Sequence, residues 1–354
     1  MKRIFKTLIF ISFILLFTSF SKCSFFPDNE KPKEIVVMSY NVCNLFDDVK
    51  NGTEYPEFDP SYGAWTSSLY RERLKNTAEI ISAAEPERGP DIICLQEIEN
   101  KKVLKDLATV WLTKFNYKDF ICADNEGSAI TTGIISRYPV KKSVNHSLYI
   151  KEFSNLRAIT ETVIDIDNSD FYIFNCHFKS KLGSDENTEP ARIRAAEAIA
   201  ARCREISLEN PDAQIIIAGD LNENIDEYIR QNKRYLTALM PLKEMGNFAS
   251  KNVLVVTGNK QDAALSGDSA VFYSPWFEGN ETGSYLYRGS WEKIDNFLLS
   301  ASFFDNKGFE YFGFKVLNNK EFSNANGAPL AWNSRTETGY SDHFPIILFI
   351  VNKY

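Results

Sequence analysis

Ile215-Ile216-Ile217-Ala218-Gly219-Asp220-Leu221-Asn222 is the stretch whose reading decides this chain. The apolar, β-branched run reads as a buried strand. It stops at a glycine and then sets a carboxylate and a carboxamide two residues apart. At strand periodicity those two side chains point the same way. A turn in which Asp220 and Asn222 bond their own backbone accounts for the same letters. The motif gains meaning only from its surroundings.

The surroundings repeat the pattern. Asn41 follows an apolar run at 35–40, Glu97 follows one at 92–95, and His177 closes a strand-like segment from 171. Asp342 and His343 precede the last apolar run, 344–351, and Asp295 opens another at 294–299. Two of the three histidines of the chain fall in this set. Each residue alone has a bland explanation: Glu97 as a helix-turn cap, His177 as a half-buried satisfied imidazole, Asp342-His343 as a turn. Together, at strand ends, they fit a site built from loops at one edge of a rigid scaffold.

The rest of the pattern gives the scaffold. Leu69, Leu74, Ala78 and Ile81 share one face of a helix over 65–84, ended by Glu85-Pro86. Asn100 caps a helix over 101–114. Short strands are expected near 117–122 and 132–136, and a hairpin at 156–166 and 171–177. An alanine-rich helix is expected to start at Pro190 and run to about Ser207, and helix-like material to occupy 226–240. Antiparallel hairpins mixed with long amphipathic helices predict an α/β (α+β) fold of stacked sheets with helices outside. No boundary divides the body.

The chain has 354 residues, 44% hydrophobic and 25% charged, enough for a sizeable core. A net charge of −7 argues against a broad basic surface that grips nucleic acid nonspecifically. It leaves room for a phosphate substrate, because bound divalent cations supply positive charge locally. Lys2, Arg3 and Lys6 precede an apolar core at 8–17 and small or polar residues up to Cys23. This is the layout of an export signal, too short for a comfortable membrane span. Residues 1–23 are therefore expected to be a signal peptide, 24–33 a linker and 34–354 the catalytic domain. The expected location is the cell envelope or outside, with a lipidated Cys23 as a possible membrane anchor, although Lys22 fits a lipidation site poorly. Five further cysteines without zinc-type spacing read as small buried hydrophobes.

The chemistry that such residues suit is metal-assisted attack of water on a phosphate ester. Hard oxygen donors such as Glu97 and Asn41 favour Mg²⁺ or Mn²⁺ over zinc. His343 and His177 suit the roles of base and donor, with Asp220 and Asp295 as orienting carboxylates.

Ser39-Tyr40-Asn41-Val42, Gln96-Glu97-Ile98, Asn175-Cys176-His177, Gly219-Asp220-Leu221-Asn222, Ile294-Asp295-Asn296 and Ser341-Asp342-His343 resemble, in order, the motifs of the endonuclease/exonuclease/phosphatase superfamily. The resemblance covers residues 35–351 and implies a four-layer α/β/β/α sandwich of two mainly antiparallel mixed sheets. It implies Asn41, Glu97 and Asp342 as metal residues, and His177, Asp220, Asn222, Asp295 and His343 as catalytic residues. His177 would contact or protonate the scissile ester. Asp220 and Asn222 would orient water and stabilise the pentavalent phosphate. Asp295 would polarise a histidine or hold metal, and His343 would be the general base. Arg157 sits where the family often places a phosphate-binding arginine. Further likeness in Asn41-Val42-Cys43-Asn44-Leu45-Phe46-Asp47 and His177-Phe178-Lys179-Ser180-Lys181 points to the exported, nuclease-like bacterial branch. Cys43 departs from the glutamate common there.

The expected function is thus an exported metal-dependent phosphodiesterase with DNA or RNA as substrate, no protein partner and a monomeric state. A sphingomyelinase-like phospholipase C or a phosphomonoesterase is the enzymatic alternative. The former would need an apolar hairpin, for which Trp276-Phe277 and Trp291, near Tyr285 and Tyr287, are the candidates. A catalytically inactive binding protein on the same fold is the alternative from another class.

Overall fold

The computed structural model describes residues 33–124, 127–153, 156–246 and 252–353. These belong to one compact unit. The expected signal segment, Cys23 and nearly all of the expected linker lie outside the described residues.

Two large sheets form the middle of the molecule. The first contains β1 (Glu34–Leu45), β2 (Ile92–Ile98), β3 (Asp119–Cys122), β4 (Thr131–Ser136), β15 (Phe309–Val316) and β16 (Ile346–Asn352), in the order β15-β16-β1-β2-β4-β3. The second contains β5 (Val140–His146), β6 (Ile159–Ile166), β7 (Ser169–His177), β8 (Gln214–Asp220), β9 (Leu239–Pro241), β10 (Leu254–Thr257), β11 (Val271–Tyr273) and β14 (Asp295–Leu299). Its order is β5-β6-β7-β8-β14-β11-β10-β9. A separate hairpin joins β12 (Tyr285–Tyr287) to β13 (Ser290–Glu292). Parallel pairing is confined to β1/β2, β7/β8 and the β9-β10-β11 edge. The sheets are therefore mixed and mainly antiparallel, as expected.

β1 and β2 pack over β7, β8 and β14. The interior between the sheets is mainly apolar, with a Thr132–Thr160 hydroxyl pair and a polar seam crossing it. There Gln96 Nε2 donates to Asn175 Oδ1 at 2.8 Å, and Asn175 Nδ2 donates to the carbonyls of Gly133 at 2.8 Å and Leu95 at 3.2 Å. A buried carboxamide is costly unless bonded, so the seam fixes how one sheet sits on the other. Helices α1 (Ser67–Ala84) and α2 (Lys101–Asp106) cover the first sheet, and α3 (Asp185–Glu209) covers the second.

Several expectations need correction. Asn100 does cap α2, accepting from Lys102 N at 2.8 Å and Val103 N at 3.2 Å. However, α-geometry stops at Asp106, and a π-turn (Leu107–Trp111) and a 3₁₀ turn (Thr113–Phe115) follow. Pro190 does not start α3. Ser184 caps it, accepting from Asn187 N at 3.3 Å, and the proline lies inside the helix. The 226–240 region is one short turn (Glu227–Arg230) followed by β9 rather than a long helix. β5, β10, β11 and β15 had no expectation at all. Among the described residues all five cysteines are free, three of them buried.

Candidate active site

Register places three of the expected residues in one row. His177 is the cross-strand neighbour of Asp220, and Asp220 that of Asp295. The row depends on Gly219. Its φ is +132°, and a Cβ there would lie 2.0 Å from the carbonyl oxygen of Cys176. Only glycine lets β8 approach β7 so closely just before the carboxylate.

The first sheet answers from the opposite side with paired irregularities. β1 and β2 lose register between Asn41 and Leu45, and β2 and β4 between Gln96 and Ile98. Cys43, Asn44 and Glu97 adopt left-handed backbone, with φ of 53°, 59° and 63°. Bulges of this kind re-aim side chains beside sites. Here they turn Glu97 inward. Its Oε2 accepts from Asn44 N at 3.0 Å and its Oε1 from Asn41 Nδ2 at 3.2 Å. The same Asn41 nitrogen lies 3.0 Å from Asp220 Oδ2, so one carboxamide joins the two sheets at the site.

The loop before β16 brings the last pair. Ser341 Oγ donates to the Asn41 carbonyl at 2.7 Å, anchoring the Asp342-His343 turn to β1. His343 Nδ1 lies 2.7 Å from Asp295 Oδ2, and its Nε2 lies 4.0 Å from Asp220 Oδ2. Ser284 Oγ donates to the same Asp295 oxygen at 2.6 Å, and the Tyr285 ring stacks on the imidazole at 4.5 Å. His177 Nε2 stands 3.7 Å from both Glu97 Oε1 and Asp220 Oδ2. Arg157 is close as well: its Nη1 donates to the Phe178 carbonyl at 3.4 Å.

The two imidazoles diverge in basicity. Burial, then the positive charges of Arg157, His343 and Lys179, hold His177 well below the ordinary histidine range. Burial acts on His343 in the same sense, but the carboxylates of Asp295, Asp342 and Asp220 overcome it and raise His343 well above that range. Burial and the neighbouring Asp295 push Asp220 up to about 7. Burial also raises Glu97. Diverging environments of this sort separate acid, base and donor roles.

All nine expected site residues are thus in one place, but two were reached by a different route. Asn222 does not share a face with Asp220 by strand alternation. The strand ends at Asp220, Asn222 has φ of 48°, and its backbone N–H donates to Asp220 Oδ1 at 2.8 Å. Its side chain reaches the Phe178 carbonyl at 3.2 Å. Arg157 lies before β6 rather than within a strand. Lys181, at the end of the His177-Phe178-Lys179-Ser180-Lys181 stretch, is ion-paired with Glu227. The sequence reading missed Ser284, Tyr285 as a neighbour of His343, and Arg73. The buried Arg73 guanidinium donates to the carbonyls of Val42, Cys43 and Tyr340. An arginine on the apolar face of α1 was the available signal.

A model of the endonuclease/exonuclease/phosphatase family matches residues 36–352. The chain belongs to that family. No curated protein sequence matches it at a significant level. Among solved structures it is similar to truncated Caenorhabditis elegans TDP2, with a TM-score of 0.54 at 16% identity over 90% of this chain and 97% of that one. It is also similar to an endonuclease/exonuclease/phosphatase family protein from Bacteroides thetaiotaomicron (TM-score 0.52, 17% identity, 92% and 100% covered). A third is D. rerio TDP2 complexed with single-strand DNA product (TM-score 0.53, 15% identity, 90% and 99% covered). At these identities the structures establish the fold. Membership of the family supports a phosphodiesterase or nuclease type of activity.

The residues fit a divalent cation. Glu97, Asp220, Asp295 and Asp342 gather where the neighbouring positive charges include Arg73 and Arg157. Ligand atoms of Asp220, Asp295 and His343 lie within 4.8 Å of one another. Asp295 Oδ2 is already engaged by His343 and Ser284, whereas its buried Oδ1 has no partner among the described residues. The half-buried Glu97, with Asn41 beside it, offers hard oxygen donors without breaking that dyad.

Proposed function

We propose that this protein is an exported phosphodiesterase that hydrolyses nucleic acid with Mg²⁺ or Mn²⁺. The observation that carries the reading is the Asp295–His343 dyad, aimed at Asp220, with His177 beside Asp220 in the same sheet and Glu97 and Asn41 facing them from the other sheet. Asn41, Glu97 and Asp342 would hold the cation, which when bound neutralises charge on the phosphoryl oxygens. In its neutral form, with Nδ1–H held by Asp295, His343 takes the proton of the attacking water at Nε2. Asp295 and Ser284 fix its ring, so that Nε2 faces Asp220. The new P–O bond forms as the ester P–O bond opposite it breaks. Asp220 and Asn222 orient the water and the phosphate, and Arg157 binds a phosphoryl oxygen. His177 is neutral near pH 7, so it serves as a hydrogen-bond donor to the ester rather than as a full positive charge. The domain so used is 34–354, and residues 1–23 would direct export, with Cys23 as a possible lipid anchor.

The aromatic residues that a membrane-inserting hairpin would use are divided: Phe277 and Tyr287 are exposed, Trp291 is partly buried. Trp276 is buried and donates its indole N–H to the Asp295 carbonyl at 2.8 Å. The β12/β13 hairpin has Arg288-Gly289 at its tip, a charged end that does not suit insertion into a membrane.

The test compares cleavage of supercoiled DNA, RNA, sphingomyelin and inositol phosphates with Mg²⁺ or Mn²⁺ and with chelator, beside His343→Ala. Metal-dependent cleavage of DNA or RNA, lost in the variant, is expected. Hydrolysis of a lipid or small phosphate alone would replace the substrate. Hydrolysis of none of them would favour a binding protein.

A further inference from the structure

An open groove of about 560 Å³ lies beside the β12/β13 hairpin, whose Tyr285 stacks on His343, and plays no part in the mechanism above. Its wall includes Gly283 just before the hairpin, Trp291 within it, and Asn318, Lys320 and Asn324 from the loop after β15. Two contacts attach it to the catalytic turn. Gly283 precedes Ser284, whose hydroxyl holds Asp295. The Trp291 ring stacks on Phe344, next to His343, at 6.0 Å and 18°.

Three features of the groove select a ligand. First, no carboxylate lines it, although the chain carries 47 acidic residues against 40 basic ones. Second, Lys320 is exposed, and its ammonium has no partner among the described residues. Third, Trp291 is partly exposed and offers a planar surface beside carboxamides that both donate and accept. An aromatic surface, an unpaired cation and amide groups are the elements that hold a base and its phosphate in single-strand binding sites.

We infer that this groove is a binding subsite for a nucleotide of the substrate strand beyond the scissile phosphate, with Trp291 against the base and Lys320 on the phosphate. The inference rests on the phosphodiesterase reading and narrows it to a polymeric, base-bearing substrate. Lys320 is remote from the reacting atoms in role: it sets affinity for the strand and leaves the chemical step alone.

The test uses Lys320→Glu, an exposed substitution that leaves the core intact. Binding of a fluorescent oligothymidylate of about twelve nucleotides is measured by anisotropy in chelator, so that no turnover is needed. Lys320→Glu is expected to weaken binding on the order of tenfold and to flatten its salt dependence. An oligomer of the same charge with abasic spacers should bind wild type less tightly. With Mg²⁺ or Mn²⁺, the variant should raise KM for the oligonucleotide and leave hydrolysis of bis(p-nitrophenyl) phosphate unchanged. Equal oligonucleotide binding by wild type and variant overturns the subsite, whatever the hydrolysis shows. So do equal losses on both substrates, equal binding of the abasic oligomer, or a charge effect seen on anionic lipid vesicles and not on DNA. If wild type hydrolyses neither substrate while the binding difference holds, the enzymatic reading falls and the subsite stands.

Discussion

His343 Nδ1 and Asp295 Oδ2 are 2.7 Å apart, one on the turn before the last strand of the first sheet and the other at the start of a second-sheet strand. The bond therefore spans the sandwich, and it orients the imidazole so that Nε2 faces Asp220. Asp295→Asn keeps the shape and removes the charge that holds the ring in this tautomer. A fall in kcat of about 10²- to 10⁴-fold with little change in KM is expected on whichever phosphodiester the wild type cleaves. Steady-state kinetics check it, and an unchanged kcat would remove His343 as the base.

Arg73 holds the same turn from beneath. Its guanidinium donates to the Cys43 carbonyl at 3.0 Å, and also to those of Val42 and Tyr340, while Asn76 Nδ2 reaches the Gly339 carbonyl at 3.0 Å. Arg73→Met would strand buried carbonyls on both sides of the metal residues and cost about 3 kcal/mol of stability. Arg73→Lys keeps the charge without the planar fork. It should retain more of the fold yet bind Mn²⁺ more weakly, as titration calorimetry would show. Wild-type affinity in Arg73→Lys would leave the arginine a purely structural role.

Much of this was legible before the structure, for a physical reason. Strands β1, β2, β8, β14 and β16 are nearly continuous apolar runs because both of their faces are buried. The polar residues at their ends stand out against that background. The region 223–292 lacked such contrast. Its strands are three or four residues long, and its order comes from tertiary partners. Examples are Ala238 N to Glu189 Oε1 at 2.7 Å, and the pairing of the buried Arg192 with Glu189 and Glu223. Pro190 misled in a similar way. Its fixed φ suits a helix start, but Ser184 supplies the cap six residues earlier. The bulges at Cys43-Asn44 and Glu97 were invisible, because no sequence pattern records a register shift between two strands distant in the chain.

Gly219 offers a sharper test of how the site is seated. Its neighbour Asp220 lies beside His177 only because nothing projects from Gly219 toward Cys176. Gly219→Ala combines a disallowed backbone with a clash against main-chain atoms that cannot swing away, a cost of about 4 kcal/mol or more. Most of the variant should be insoluble, or should melt well below wild type by circular dichroism. A well-folded variant would show that β7 and β8 separate more easily than this packing allows.

Acid should weaken the far face of the second sheet through Glu161. Its buried carboxylate accepts from Arg202 Nε at 2.8 Å and Nη2 at 3.1 Å, and lies 2.7 Å from His146 Nε2. Burial opposes ionisation there, but His146 and Arg202 prevail and lower the group to about 2, against roughly 4.3 for an unperturbed glutamate. Because the folded value is the lower one, the stabilisation is fully present above about pH 4.3 and is lost as pH falls toward 2. Its size is on the order of 2–3 kcal/mol. Urea unfolding of wild type and Glu161→Gln should therefore differ by that amount at pH 7 and converge as pH falls to about 2 and below. A gap that stays constant across this range would mean that Glu161 contributes through its shape and hydrogen bonds rather than through its charge.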